Sequence, residues 1–182
     1  MAKLISKTYG EALFEVAMEE QKTDLFLEEA QEILTILDQN PELDKLMKHP
    51  KISKLEKEQV LDEVFQNNVS REMTGFMKLL VNKERYGELP NIFAYLIDRI
   101  KEEKKIGVAF VTTALELTDS KKAAIEKRLL ETTPYLSMEM NYKVDEALIG
   151  GMIIRIKDRV VDSSVRTKLE EMKKQLLQIQ LG

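Results

Sequence analysis

Residues 138–166 read "MEMNYKVDEALIGGMIIRIKDRVVDSSVR". The first seven alternate without a fault. Met138, Met140, Tyr142 and Val144 point to one side and Glu139, Asn141 and Lys143 to the other, the period-two pattern of a half-buried strand. After Asp145 and the pair Gly150-Gly151, an apolar run opens at Met152. It breaks at Lys157-Asp158 and resumes at Val160, which predicts two further strands joined as a hairpin. Asp162-Ser163-Ser164 then precedes a helix-like tail running to Leu181, with Val165, Leu169, Met172, Leu176 and Ile179 on one face.

The paired glycines raise the question of a phosphate loop. A dinucleotide fingerprint needs G-x-G-x-x-G between strand and helix, and a Walker loop needs G-x-x-x-x-G-K-[ST]. Gly150-Gly151 satisfies neither, and it leads into a strand rather than a helix N-terminus that would face an anion. Asp162, at the start of the next helix, would repel phosphate. The two glycines are therefore read as positions of unusual dihedrals or close backbone approach.

Working outward, "GVAFVTTALEL" (107–117) is rich in β-branched residues and reads as a strand. "LTDSKKAAIEKRLLETT" (117–133) reads as a helix capped by Thr118 or Asp119. Residues 106–182 thus make a small α+β domain with a β-hairpin and a C-terminal helix. Residues 1–105 carry a different, helical period. Helix one covers about Ala2 to Glu20; a second follows Thr23-Asp24 and runs to Asp38. Asn40-Pro41 opens a short third that ends near Lys48, before Pro50. Ser53 with Glu56 forms a capping box for a fourth through Gln66. Ser70 caps a fifth ended by Gly87, and Pro90 opens a sixth reaching Lys105. The expected fold is α+β overall, an N-terminal six-helix bundle followed by the small α+β domain, with the boundary near residues 104–107.

The chemistry-bearing residues are sparse. There is no cysteine, and His49 is the single histidine, so a zinc or iron site of the usual N/S kind cannot be built. His49 stands before Pro50 with no spaced nucleophile or orienting acid, which reads as a partly exposed loop histidine rather than a general base. Carboxylates are spread along helices beside lysines, the pattern of intrahelical pairing. Neither cofactor nor metal is expected. Net charge is -4, with 28 basic and 32 acidic residues, which argues against a nucleic-acid partner. No stretch approaches the roughly 18 apolar residues of a membrane span, and the acidic start lacks the character of a signal or transit peptide. The chain is expected to begin at Met1, in a cytoplasm, with no direct membrane insertion.

Binding surfaces then matter more. Projected at about 100° per residue, Ile5, Tyr9, Ala12, Leu13 and Val16 share one face of helix one, taken as core. Leu4, Phe14 and Met18 fall nearly opposite, with Lys7 and Glu11 among them. In helix five, Met73, Phe76, Met77 and Leu80 make the core face, while Leu79 points away beside Gly75 and Lys83. Scattered surface apolars are ordinary. The sharper reading is a groove between helices one and five that accepts an amphipathic partner helix. Phe14→Asp with Leu79→Asp is then expected to spare the fold while weakening that contact.

The stretch "MEMNYKVDEALIGGMIIRIKDRVVDSSVRTKLEEMKKQL" resembles the delta subunit family of F-type ATP synthase, whose mitochondrial relative is the oligomycin-sensitivity-conferring protein. The shared pattern is carried by Asp145, Leu148, Ile149, Gly150, Gly151, Arg155, Asp158, Asp162, Ser164 and Arg166. "YGEALFEVAMEE" and "NPELDKLMKHPKISKLEK" extend the likeness over nearly the whole chain. Lys157 and Ser163 stand where the family usually or often has glycine, and a lysine disfavours positive φ, so a different hairpin turn is expected.

The resemblance implies a non-catalytic stator subunit of a bacterial enzyme, on the cytoplasmic side of the cell membrane as a peripheral component. Its helical domain would bind amino-terminal segments of the alpha subunits through helices one and five, and its second domain the carboxyl-terminal ends of the b subunits. This would couple proton translocation to ATP synthesis or hydrolysis. Leu4, Lys7, Glu11, Phe14, Met18, Gly75, Leu79 and Lys83 become candidate alpha-contacting positions. Asp145 through Arg166 look like architecture. A stand-alone helical adaptor that binds an amphipathic helix is the alternative.

Overall fold

The computed structural model describes residues 2–65 and 68–179. It divides into two units, residues 1–101 and 102–182, and is α+β, with eight α-helices and one four-stranded mixed sheet among the described residues.

Unit one contains α1 (Ala2–Glu19), α2 (Thr23–Gln39), α3 (Pro41–Lys48), α4 (Lys54–Phe65), α5 (Arg71–Asn82) and most of α6 (Leu89–Glu103). Local chemistry sets these bounds. Pro41 opens α3 at a position that needs no amide donor. Ser53 and Glu56 close a reciprocal box at the start of α4. The Ser53 amide donates to Glu56 Oε2 at 2.8 Å and the Glu56 amide to Ser53 Oγ at 3.3 Å. The Ser53 backbone amide, then its hydroxyl, hold the Glu56 carboxyl below its ordinary pKa. Ser70 Oγ accepts from the Met73 amide at the start of α5. The expected end of the fourth helix at Gln66, and that of the last at Leu181, lie outside the described residues.

Helix ends departed from expectation where glycine was the cue. α5 stops at Asn82, not Gly87, because Glu84 takes a left-handed conformation (φ 59). The Arg85 amide reaches back to the Leu80 carbonyl at 2.8 Å and the Glu84 amide to that of Val81 at 3.0 Å, a Schellman closure. Gln21 (φ 55) ends α1 in the same way. A short 3-10 turn, Tyr86–Glu88, leads directly into α6.

Phe26, Phe65, Phe93, Ile33, Met47, Leu61, Met73, Met77, Leu80 and Leu96 are fully buried within unit one. Each contributes roughly 1.5–3 kcal/mol by leaving water, and together they hold the helices without any covalent staple.

Unit two contains β1 (Ile106–Thr113), α7 (Asp119–Thr132), β2 (Ser137–Val144), β3 (Met152–Ile156), β4 (Arg159–Asp162) and α8 (Val165–Ile179). The sheet order is β2-β1-β3-β4; β1 runs parallel to β2 and antiparallel to β3, and β3–β4 is the hairpin. Gly107, Ala109, Val111 and Thr113 are buried on one face of β1. α7 lies on that side: the Tyr142 hydroxyl donates to the Lys122 carbonyl, and Lys122 Nζ stands 5.5 Å from the Tyr142 ring centroid. Tyr142 pairs laterally with Val111. The β2 alternation is half-buried only in its first half. Met138 and Met140 are partly covered, whereas Tyr142 and Val144 are exposed, because β2 is a sheet edge and α7 buries none of its own residues.

Candidate functional site

Two side-chain constellations stand out: the flanks of α1 in unit one, and the glycine–hairpin–helix junction in unit two.

On α1 the buried residues are Ser6, Gly10, Leu13, Phe14 and Ala17. This face is rotated from the one expected, and the correction has a clear cause. Gly10 packs against the Tyr95 ring of α6, so that a Cβ there would collide with it. A glycine and a serine carry no apolar signal, yet close helix approach needs small residues at the crossing. Phe14, expected to be exposed, is therefore buried (6% exposed), with the Arg99 guanidinium 4.4 Å from its ring centroid. Phe14→Asp would break the fold rather than spare it. Ala12 and Val16, expected in the core, are exposed.

Each flank of α1 has its own neighbour. Tyr95 Oη donates to Glu11 Oε2 at 2.8 Å, and Arg99 Nε lies 3.5 Å from Glu11 Oε1, so Glu11 borders α6. Leu4, Lys7 and Met18 share the Glu11 flank by helical spacing; all three are exposed. The opposite flank carries Ile5, Tyr9, Ala12 and Val16. The Tyr9 ring meets Phe76 of α5 edge-on at 6.4 Å, and Phe76 in turn stacks on Phe93 at 6.2 Å. Lys22, just after α1, joins Glu72 of α5 at 2.6 Å. Hydrogen bonding to Lys22 lowers the Glu72 carboxyl, while Glu20 and then Glu72 raise the Lys22 ammonium.

On α5, Gly75, Leu79 and Lys83 are exposed on one side, as their spacing predicts. Leu79 is 43% exposed, and nothing lies within 4 Å of where a Gly75 side chain would begin. Gly75, Leu79 and Lys83 thus follow the exposed side of α5, the helix whose Phe76 meets Tyr9 on the α1 flank that also carries Ile5, Ala12 and Val16. Of the α1 candidates Leu4, Lys7, Glu11 and Met18, Glu11 is engaged by Tyr95 and Arg99 of α6, and the other three share its flank by helical spacing. Ala12 was read as core and is exposed, since alanine suits either environment.

In unit two the signature residues assemble around the start of α8. Asp162 Oδ1 accepts the Ser164 amide at 2.8 Å and Asp162 Oδ2 accepts the Thr167 hydroxyl at 2.8 Å. The Ser164 amide, then its side chain, hold the Asp162 carboxyl below its usual range. Ser164, itself buried, caps the helix by accepting the Thr167 amide at 3.3 Å. Thr167 belongs to this cluster and carried no signal of its own in the sequence.

Gly151 adopts φ +75, and a Cβ there would strike the Ser163 carbonyl; a Cβ on Gly150 would press on Val165 at 3.1 Å. The backbone passage before α8 therefore requires glycine at 151, while a Cβ at 150 would be tight against Val165. Asp145 Oδ1 accepts the Ala147 amide, and Leu148 of that turn is buried. Arg155 lies over the Phe110 ring at 4.8 Å, and Arg166 Nε pairs with Glu170 at 3.2 Å. The hairpin turn departs from expectation: Lys157 does take positive φ, at 50, with its ammonium 2.8 Å from Glu102 Oε1. Asp158 completes the turn. Ser163 is accommodated too, its hydroxyl donating to the Met152 carbonyl at 2.9 Å.

No group of three or more His, Asp or Glu among the described residues is arranged to hold a metal ion, and no helix there is long and apolar enough to cross a membrane. The family model for "ATP synthase delta (OSCP) subunit" matches residues 5–176. A subunit delta of ATP synthase from Lachnoclostridium phytofermentans is 48% identical over 182 residues, covering all of both chains. One from Prochlorococcus marinus (strain AS9601) is 30% identical, covering 92% of this chain and 93% of its own. A chain in the cryo-EM structure of the Toxoplasma gondii mitochondrial ATP synthase hexamer superposes with a TM-score of 0.76 over 94% of this chain and 97% of its own. At 18% identity that likeness speaks to fold. The chain belongs to the ATP synthase delta (OSCP) subunit family. It is a non-catalytic stator component of F-type ATP synthase.

Proposed function

We propose that unit one, a helical bundle, binds the amino-terminal segment of an alpha subunit as an amphipathic helix in the groove between α1 and α5. The observation that carries this reading is the Tyr9–Phe76 contact between the two helices, which would floor such a groove, with Ala12, Val16, Gly75 and Leu79 exposed on either side. Ala12 and Val16 form one edge; Gly75 and Leu79 form the other, and Lys83 supplies a charge at its end. A groove with an apolar floor and small residues at its edges suits a helix laid face down. Unit two binds the carboxyl-terminal ends of the b subunits. Supporting this is a cleft of about 580 Å³ between the end of α7 and the hairpin, lined by Leu129, Pro134, Tyr135, Ile154, Ile156 and Val161. Two-ended binding of this kind holds the catalytic head against the torque of the rotor. The chain would act as a peripheral component on the cytoplasmic side of a bacterial cell membrane.

Calorimetry with a synthetic alpha amino-terminal peptide tests the groove. Ala12→Asp combined with Leu79→Asp replaces two exposed apolar side chains with charges, so circular dichroism should be unchanged. Affinity should fall at least about tenfold, roughly 1.4 kcal/mol. A correctly folded double variant that binds as tightly as the parent would dispose of the groove.

A further inference from the structure

The sheet of unit two ends on two unlike edges. β4 is an edge of four residues, too short to offer much to another strand. β2, the opposite edge, runs eight residues in unbroken register with β1, from Ile106↔Ser137 to Thr113↔Val144. No described strand lies beyond it. Edge strands are ordinarily kept short, bulged or interrupted by proline, because their outer amide and carbonyl groups are a template for a further strand. β2 has neither bulge nor proline. It carries two charges of opposite sign, Glu139 and Lys143, both on the face turned from α7 and placed symmetrically about Asn141. A lysine alone would blunt the edge; a lysine with a glutamate in this arrangement makes the edge complementary to itself.

The pairing register follows. Residues directly opposite in an antiparallel pair share a face. Two copies of β2 therefore keep their α7 faces aligned only if the two-fold axis passes through a residue. With the axis at Asn141, each Glu139 meets Lys143 of the second copy. On the other face Met140 meets Tyr142 and Met138 meets Val144, so half-buried methionines cover the exposed Tyr142 and Val144. An axis at Met140 sets Glu139 against Asn141 and Lys143 against Ser137, and no charge is matched. An axis at Tyr142 sets Glu139 against Asp145, and like charges directly opposite are unfavourable.

We propose that β2 is a self-recognition edge, through which two copies of the chain join antiparallel about Asn141 into one continuous sheet. The two-fold closes the assembly at a dimer, since each copy uses the same edge. Neither proposed stator contact enters this inference.

The test uses the full-length chain in analytical ultracentrifugation. The parent should show a monomer–dimer equilibrium with a Kd of about 100 µM or tighter. Glu139→Lys and Lys143→Glu should each weaken it at least about tenfold. An equimolar mixture of the two variants should associate as the parent does, because opposite charges again face each other in both pairs. The chain has no cysteine, so a single introduced thiol reports the register. Opposed Cα atoms in an antiparallel pair lie about 4.5–5.5 Å apart, within the roughly 4.4–6.8 Å a disulfide spans. Asn141→Cys should thus cross-link to a covalent dimer on mild oxidation. Glu139→Cys, four residues out of register with its own copy and so roughly 14 Å away, should not. A parent that stays monomeric, a mixture no tighter than either variant alone, or equal cross-linking at the two cysteine positions would each overturn the proposal.

Discussion

In unit one, Phe26, Phe65 and Phe93 are sealed in a cluster with Ile33, Met77 and Leu96. In unit two, the buried apolar side chains among the described residues are Ala109, Val111, Ala114 and Leu148, while Val160, Val161, Leu169 and Met172 are each more than half exposed. α7 buries nothing fully, and α8 shows water the stripe Val165, Leu169 and Met172 that its sequence marks as apolar. Unit one is held by side-chain volume. Unit two is held by sheet hydrogen bonds and a few backbone devices, the Gly150-Gly151 passage and the Asp162 cap foremost. A unit with so little apolar surface withdrawn from water leaves much of it for a partner to cover, as the proposed stalk contact would.

The largest effect should come from attacking volume in unit one. Phe14→Asp removes a buried aromatic ring from α1 and puts a desolvated carboxylate in its place, with Arg99, already beside Glu11, as the nearby cation. A cost of several kcal/mol is expected, enough to unfold unit one at room temperature. Urea unfolding followed by the helical circular-dichroism signal measures it. A native-like midpoint would mean that Phe14 is not a core residue and that the exposed face inferred from the sequence was right.

Next in size is Gly151→Ala in unit two. Positive φ costs an alanine about 1–2 kcal/mol, and the Ser163 carbonyl in the way of the Cβ is backbone that cannot swing aside. A loss of roughly 2–4 kcal/mol is expected, confined to unit two, with unit-one amide exchange unchanged. An equal loss in both units would show that they unfold as one, and the contrast drawn above would fail.

These two sites also show what sequence could and could not reveal. Element types were legible throughout: period two marked β2, an unbroken apolar run marked β3, and period 3.6 marked α2 and α5. The start of α4 and of α8 could be read because capping needs particular side chains at particular offsets. The α1 face could not be read correctly. Its orientation is decided by Gly10 against Tyr95, a contact 85 residues apart in the chain that leaves no periodic trace. The helix ends at Gln21 and Glu84 were equally silent, because any residue can be forced into a left-handed cap when the packing on either side fixes the path.

A smaller effect distinguishes the units by pH. Asp162 has a folded pKa below its unfolded value of about 3.9. Its contribution is therefore present above that value and is lost as pH falls through the lower folded pKa. Unit two should lose stability below about pH 4, and Asp162→Asn should lower stability at neutral pH while flattening the acid dependence. An unchanged acid slope in the variant would remove the cap from the account. Glu56 gives unit one a like acid dependence through its Ser53 box. Only the Asp162 term should respond to this substitution.

The smallest effect probes the hairpin turn, where unit two holds a lysine at φ 50. Lys157→Gly and Lys157→Ala both remove the contact with Glu102, an exposed pair worth about 0–1 kcal/mol. Their difference therefore isolates the backbone. Glycine takes positive φ without a Cβ penalty of about 1–2 kcal/mol, but loses more conformational freedom on folding, about 0.5–1 kcal/mol. The glycine variant should then be the more stable of the two, by up to roughly 1 kcal/mol, in urea titrations of unit two. If alanine were the more stable, the turn would not be strained at Lys157. The ion pair with Glu102 would then be incidental rather than the local compensation for a side chain placed where the backbone favours none.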